Sequence, residues 1–175
     1  RALTEPPKDV NLPKMPLDEL KAYVAKDEGN YIAQMALGVQ LQRAGDLDGA
    51  VAAFKKAQAL VPIAAGDDSA NALLAEVAMR RRDFKGAIEA LQAQVAVDFN
   101  NVGAARQLAG LMRENGVTDP AVVAPVYQRI VDIDPFDAET RTAYGRVLMK
   151  QNKADAAARE FKAVVAMNPV DQAAA

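Results

Sequence analysis

Apolar residues recur along most of this chain at intervals of three and four, which places them on one face of an α-helix. Between Tyr31 and Pro62 the pattern runs twice, with a break at Gly45-Asp46. The shared-face positions are Leu37, Gly38 and Leu41 in the first half and Ala50, Phe54 and Ala57 in the second. The pattern predicts two helices that approach closely at their small residues. Pro62 ends the pair, because proline cannot continue a helix.

Three later stretches repeat this two-helix pattern. Their core positions are Leu74, Ala75, Ala78, Ala87 and Leu91, then Leu108, Ala109, Met112 and Tyr127, then Tyr144, Gly145, Leu148, Ala157, Phe161 and Val164. The closing positions are Pro62, Phe99, Pro135 and Pro169, at separations of 37, 36 and 34 residues. Four units in phase indicate a repeat architecture.

These units resemble the tetratricopeptide repeat, whose pattern W-x2-L-G-x2-Y, A-x3-F and P extends over about 34 residues. In the first unit Gln34 replaces the opening Trp and Leu41 stands where Tyr is usual. The other positions match at Leu37-Gly38, Ala50, Phe54, Ala57 and Pro62. The resemblance implies an all-α, right-handed superhelical solenoid of antiparallel helix pairs, with about four units and an N-terminal capping helix.

Prolines and turn residues set the predicted boundaries. These are a Pro-rich linker or arm over 1–16, a capping helix over 17–29, repeats over 30–67, 68–101, 102–137 and 138–171, and the start of a truncated further helix over 172–175. The prolines of the first segment favour an extended backbone. Because Pro125 would interrupt the second helix of the third repeat, we expect that helix to start late, near Val122, or to kink.

Composition restricts the chemistry. The chain has 175 residues, 51% of them hydrophobic but only 5% aromatic, so its core must consist of Ala, Leu and Val. Small residues such as Ala50, Ala87 and Ala157 should lie at helix contacts. A net charge of −2 does not favour a nucleic-acid partner. No apolar run has the length of a membrane span, so no membrane insertion is expected.

The chain has no His and no Cys, and its only Ser is Ser69. A histidine-assisted nucleophile, a thiolate nucleophile and a histidine-ligated metal site are therefore excluded within it. Asp67-Asp68 could serve in acid–base chemistry, but their position favours a role as helix N-caps, a role that Ser69 could equally take. We predict no catalytic residue, no metal and no cofactor, and hence a segment that is not an enzyme.

The resemblance implies that the first helix of each repeat lines a concave face. The candidate groove residues carried over to this sequence are Met35, Gln42, Arg43, Glu76, Met79, Arg80, Arg106, Arg113, Thr142, Arg146, Met149 and Lys150. The same offsets include Ile32, Val39, Ala72, Gly110 and Glu114. Arginine forks beside adaptable methionines suit a peptide or partner domain with acidic groups. Alternatively, the cations lie near helix C-termini and are simply solvated, which explains Arg106 and Arg146 poorly.

The favoured function is a protein-interaction module. Chaperone-clamp members of the family carry Lys and Asn where this chain has Met35 and Val39, which disfavours that specialised role. One alternative is a structural spacer that packs against an upstream domain. A second is the tail of an enzyme, since the run 131–139 is similar to repeat arrays that follow peptidase-like domains in some exported bacterial proteins. That likeness favours an exported or periplasmic location. An uncapped C-terminal end also favours self-association there.

Overall fold

The computed structural model describes residues 10–167, and the helical prediction is confirmed throughout this range. Nine α-helices lie within it: α1 Leu17–Lys26, α2 Tyr31–Ala44, α3 Leu47–Leu60, α4 Ala70–Arg80, α5 Phe84–Val97, α6 Val102–Glu114, α7 Pro120–Ile133, α8 Ala138–Lys150 and α9 Ala154–Met167. The chain divides between Asp98 and Phe99 into two compact parts, called unit 1 and unit 2. The further helix predicted over 172–175 falls outside the described residues.

Helices that follow each other in sequence pack together within each unit. In unit 1, α1 packs on α2, α2 on α3, α3 on α4 and α4 on α5. In unit 2, α6 packs on α7, α7 on α8 and α8 on α9. The antiparallel pairs are α2 with α3, α4 with α5, α6 with α7 and α8 with α9, as the repeat pattern predicts.

Side-chain caps fix the starts of α2 to α8. In each case an Asn, Asp or Ser side chain accepts a hydrogen bond from a backbone N–H of the first turn. The capping residues are Asn30, Asp46, Ser69, Asp83, Asn101, Asp119 and Asp137. At α4 the cap is Ser69, which confirms one of the three predicted N-cap residues, whereas the same prediction for Asp67 and Asp68 is wrong. Both carboxylates lie one or two positions too early in the chain.

The turn between the two helices of each pair uses a left-handed residue. Its φ is 84° at Gly45, 58° at Arg82, 70° at Gly116 and 59° at Asn152. Glycine adopts this conformation without strain, whereas a residue with a Cβ is disfavoured there. The recurrence of one backbone conformation at one repeat position explains why the pairs keep their geometry although the sequences of the turns differ.

Small residues let the paired helices approach closely. A Cβ placed at Gly38 would overlap the ring of Phe54, and one at Gly145 would overlap the ring of Phe161. Ala50, Ala87 and Ala157 are all fully buried, as predicted. The first and fourth repeats therefore share one contact, an aromatic ring of the second helix seated on a glycine of the first.

The end of the Pro-rich segment is folded onto unit 1. Residues Leu12–Lys14 form a 3₁₀ helix, and Leu12 is buried in a cluster with Leu20, Val24 and Ala33. This differs from the extended backbone that the prolines favour. A single buried leucine explains the difference, because its burial holds the short turn against α1 and α2.

Pro125 lies inside α7, which begins at Pro120 directly after its cap Asp119. The predicted late start near Val122 is therefore wrong. Pro120 occupies the first helical position, where a missing N–H has no consequence and the fixed φ suits a helix. This start, together with the Asp119 cap, extends the helix across Pro125 despite the backbone hydrogen bond that Pro125 cannot make.

Within residues 10–167, no helix follows α9 to pack on it. Val165 is 52% exposed, whereas Val131, its counterpart 34 residues earlier in α7, is 7% exposed. Val131 lies in a helix on which α8 packs. Self-association through this end of the chain remains a prediction.

Candidate functional site

An apolar groove runs along α2 in unit 1. Ile32, Met35 and Val39 point into it, because spacings of three and four place them on one face of the helix. Leu73 of α4 contributes to the same lining. The groove has a volume of about 410 Å³. It brings together Met35 and Arg43 of the predicted groove residues and adds Ile32 and Val39 from the same offsets.

Two fastened segments form the walls of this groove. On one side Pro13 of the 3₁₀ turn lines it, and the Gln40 side-chain amide donates to the carbonyl oxygens of Met15 at 2.8 Å and Leu12 at 3.3 Å. On the other side the connection between α3 and α4 contributes Ala65, Asp68 and Ser69. The N–H of Gly66 in that connection donates to Asp98 at 3.1 Å. Hydrogen bonds within the fold therefore hold both walls of the groove.

Opposite charges stand at the two ends of the groove. Asp68 lies beside Tyr31 at the start of α2, and Arg43 lies in its last turn. The pKa of Tyr31 is raised above its ordinary value, first by burial and then by the negative charge of Asp68. Both Asp68 and Arg43 have exposed side chains. The lining between them is apolar, so the groove has an acidic end, an apolar centre and a basic end.

Other predicted residues of unit 1 lie outside this groove. Gln42 is buried, and its amide donates to the Glu76 carboxylate at 2.7 Å, which joins α2 to α4. Met79 and Arg80 are exposed on α4 but do not line the groove. Gln42 and Glu76 are therefore brought together by the structure, but as partners of each other.

In unit 2 the predicted arginines of α6 are ion-paired within the chain. The Arg106 guanidinium donates to Asp134 at 2.6 Å and to Asp137 at 2.9 Å. Arg113 lies 3.3 Å from Glu139. Between them, above Gly110, is a small pocket of about 200 Å³. The acidic partners come from the turn before α8 and from its first residues, a constraint that the sequence reading missed.

The predicted groove residues of α8, unlike the arginines of α6, form no ion pairs within residues 10–167. The Thr142 hydroxyl donates to the Ala138 carbonyl at 2.8 Å, so its hydrogen is already used within the helix. Arg146, Met149 and Lys150 are exposed. Within residues 10–167, no ion pair forms at Arg146, Lys150, Arg43 or Arg80. These four cations differ in this from Arg106 and Arg113, which have carboxylates beside them.

Asp137 has two functions in unit 2. One carboxylate oxygen accepts the N–H of Thr140 and caps α8, and the other accepts from Arg106. Burial alone would raise the pKa of Asp137, but the hydrogen bonds from Thr140 and Arg106 outweigh it and hold the pKa below its ordinary value. The ionised form of Asp137 therefore stabilises the fold.

Replacing Asp137 by asparagine tests this contribution. Asparagine keeps the cap but loses the ion pair, so we expect a loss of about 1 kcal/mol near pH 7. Because the folded-state pKa is depressed, the wild-type advantage is present above the unfolded pKa of about 3.9 and disappears as the pH falls below it. Urea unfolding of both proteins between pH 7 and pH 3 measures this. Asp83→Asn is the matched control, since within residues 10–167 that cap has no arginine partner. A pH-independent difference for Asp137→Asn would contradict the ion pair.

Comparison with known proteins identifies the type of repeat. A sequence model of the tetratricopeptide repeat matches residues 17–68 and 142–175. These two stretches of the chain therefore carry tetratricopeptide repeats. No curated protein sequence matches the chain. None of the helices within residues 10–167 combines the length and apolarity needed to cross a membrane. In the same range no group of Asp and Glu side chains suits a metal ion.

Solved structures share the fold of this repeat protein at low sequence identity. A crystal structure of MamA is 19% identical with a TM-score of 0.54, covering 89% of this chain and 88% of MamA. MamA 41-end from Desulfovibrio magneticus RS-1 is 22% identical with a TM-score of 0.51, covering 90% and 86%. YrrB, described as a TPR protein with an unusual peptide-binding site, is 21% identical with a TM-score of 0.53, covering 88% and 77%. At these identities the likeness shows the fold alone.

Proposed function

We propose that this chain is a non-catalytic protein-interaction module that holds a peptide segment, or a segment of a partner domain, in the α2 groove. The observation that carries the proposal is the apolar lining of Ile32, Met35 and Val39, left open between two fastened walls. An open lining of this kind gains free energy when a ligand covers it, by about 25 cal/mol for each Å² of apolar surface. The volume of about 410 Å³ is in the range of ligand-binding clefts.

The rigidity of the walls supports binding. The Gln40 amide and the Gly66–Asp98 hydrogen bond hold the two sides of the groove through contacts within the fold. Preorganised sites bind more tightly because less conformational freedom is lost on association. Met35 adds an adaptable contact that accommodates apolar side chains of different shapes. YrrB, which shares the fold, is described as having a peptide-binding site.

The four cations that form no ion pair within residues 10–167 favour partners with acidic groups. Arg43 stands at one end of the groove, and Arg80, Arg146 and Lys150 are exposed on the first helices of other repeats. A guanidinium binds a carboxylate through two parallel hydrogen bonds. We propose these residues as contacts for a partner. Of the four, Arg43 lines the groove, so a ligand anchored there by an apolar side chain would lie within reach of it.

A selection of twelve-residue peptides displayed on phage, followed by fluorescence anisotropy with the enriched sequences, tests the proposal. We expect enriched peptides to contain apolar anchors. Their affinity should fall about tenfold or more in Ile32→Asp. The substitution puts a charged group in place of an apolar side chain whose full burial contributes about 1.5–3 kcal/mol.

Val122→Asp is the matched control for Ile32→Asp. Both side chains are 37% exposed, and both lie in the first turn of a helix, where an aspartate is favourable. Val122 is in α7, outside the groove. We expect its replacement to change the affinity by less than about twofold. No enriched peptide, or equal affinities of the two variants, would contradict the proposed function.

The second candidate function is a structural spacer that packs against an upstream domain, which the sequence likeness suggests is peptidase-like. The observation that favours it is the neutralisation of Arg106 and Arg113 by carboxylates of unit 2. The α6 face should bind a charged ligand more weakly because its arginines are already paired, and the ligand would have to displace these ion pairs. This observation concerns α6 and does not apply to the α2 groove.

A further inference from the structure

The two ends of the α2 groove carry opposite charges and are separated by a fixed distance. Tyr31, beside Asp68, and Arg43 are twelve positions apart on one helix, which corresponds to about 18 Å at 1.5 Å per residue. An extended peptide advances about 3.3 Å per residue, so five to six residues span this distance. The groove therefore sets a length as well as a charge pattern for whatever occupies it.

From this geometry we infer that the preferred occupant is an extended, amphoteric peptide segment, with a basic side chain at the Asp68 end, apolar side chains along α2, and an acidic side chain at the Arg43 end. The inference rests on the proposed function of the groove and deepens it. It differs from a purely acidic ligand, because a second carboxylate at the Asp68 end would meet a like charge. Like-charge contacts are a common basis for rejecting wrong partners.

The apolar centre fixes where the charges of the ligand fall. Ile32 and Val39 lie seven positions apart on the same helical face, with Met35 between them, so the apolar lining runs from the Asp68 end to about one turn before Arg43. In an extended ligand alternate side chains point to the same side. Two apolar residues at alternate positions can therefore contact this lining while the flanking charged residues reach Asp68 and Arg43. Both protein charges are exposed, so long side chains of a ligand can approach them.

Three peptides with acetylated and amidated ends test the inference. The KE probe is Lys-Ala-Leu-Val-Leu-Ala-Glu, the EE probe has Glu at both ends and the KK probe has Lys at both ends. Blocked termini leave the side chains as the only charges. Fluorescence anisotropy at low salt should show that the KE probe binds about fivefold more tightly than either like-charged probe, an advantage that shrinks as salt is added.

Charge reversal of the protein makes the test specific. Arg43→Glu should transfer the preference to the KK probe, and Asp68→Lys should transfer it to the EE probe. A gain of binding cannot result from unfolding, so these outcomes separate recognition from damage. Equal binding of the three probes to the wild type, or an unchanged order in both variants, would overturn the charge pattern and leave the proposed function standing. No binding of any probe to the wild type would overturn the pattern and count against the groove itself.

Discussion

Phe54→Ala is expected to destabilise the protein by about 3–5 kcal/mol, the largest effect of any single change considered. Phe54 is a fully buried residue of α3, and its ring lies against Gly38 of α2. Truncation removes the apolar contacts of the ring and leaves a cavity. The backbone of α2 cannot easily fill that cavity, because glycine has no side chain to move into it. Urea unfolding monitored by circular dichroism measures the loss.

The control for this prediction is the same substitution at an exposed phenylalanine. Phe84 begins α5 and is 41% exposed, so Phe84→Ala should change stability by less than about 1 kcal/mol. Two glycines extend the comparison. Gly38→Ala should destabilise through overlap with Phe54, whereas Gly110→Ala, with open space at its Cβ, should be neutral or stabilising by up to about 1 kcal/mol. Equal losses for the two phenylalanines would contradict the ring-on-glycine contact.

Pro125→Ala is expected to stabilise the protein by about 2 kcal/mol. A proline in a helix interior costs about 3 kcal/mol relative to alanine, and about 0.4–1 kcal/mol of this is offset because proline also restricts the unfolded chain. Pro125 lies at the sixth residue of α7 and is exposed, so alanine restores a backbone donor without leaving a cavity. The midpoint of thermal or urea unfolding measures the gain.

Pro120→Ala is the matched control in the same helix. Pro120 occupies the first helical position, where its ring is favourable. Its replacement should be neutral or destabilising by up to about 1 kcal/mol. If both substitutions changed stability in the same direction and by the same amount, the position of Pro125 within a continuous α7 would be wrong.

The helical pairs could be predicted from the sequence because local patterns determine them. Helix faces, turn residues and the small residues at contacts follow from spacings of three and four and from the repeat period. The contact of Phe54 with Gly38 is of this kind. The start of α7 differs from the prediction because the cost of Pro125 inside the helix argues against a start at Asp119. The favourable Asp119-Pro120 start outweighs that cost.

The candidate site was less accessible to sequence reasoning, since its parts come from distant positions. Gln40 holds the turn at Leu12, 28 residues away, and only the burial of Leu12 brings them together. Arg106 was placed correctly on a first helix, but its pairing with Asp134 and Asp137 depends on packing across 28 and 31 residues. The repeat period itself offered a signal for that pairing, because the Asp-Pro-Phe-Asp turn follows Arg106 by about one period.

A titration of the isotope-labelled protein with the KE probe, followed by amide chemical shifts, tests the central claim most directly. The account predicts that shifts concentrate along α2 from Tyr31 to Arg43 and in the wall at residues 65–69, and that Ile32→Asp abolishes them. Shifts confined to unit 2, or none at peptide concentrations up to about 1 mM, where even weak complexes form, would contradict a binding role for the α2 groove.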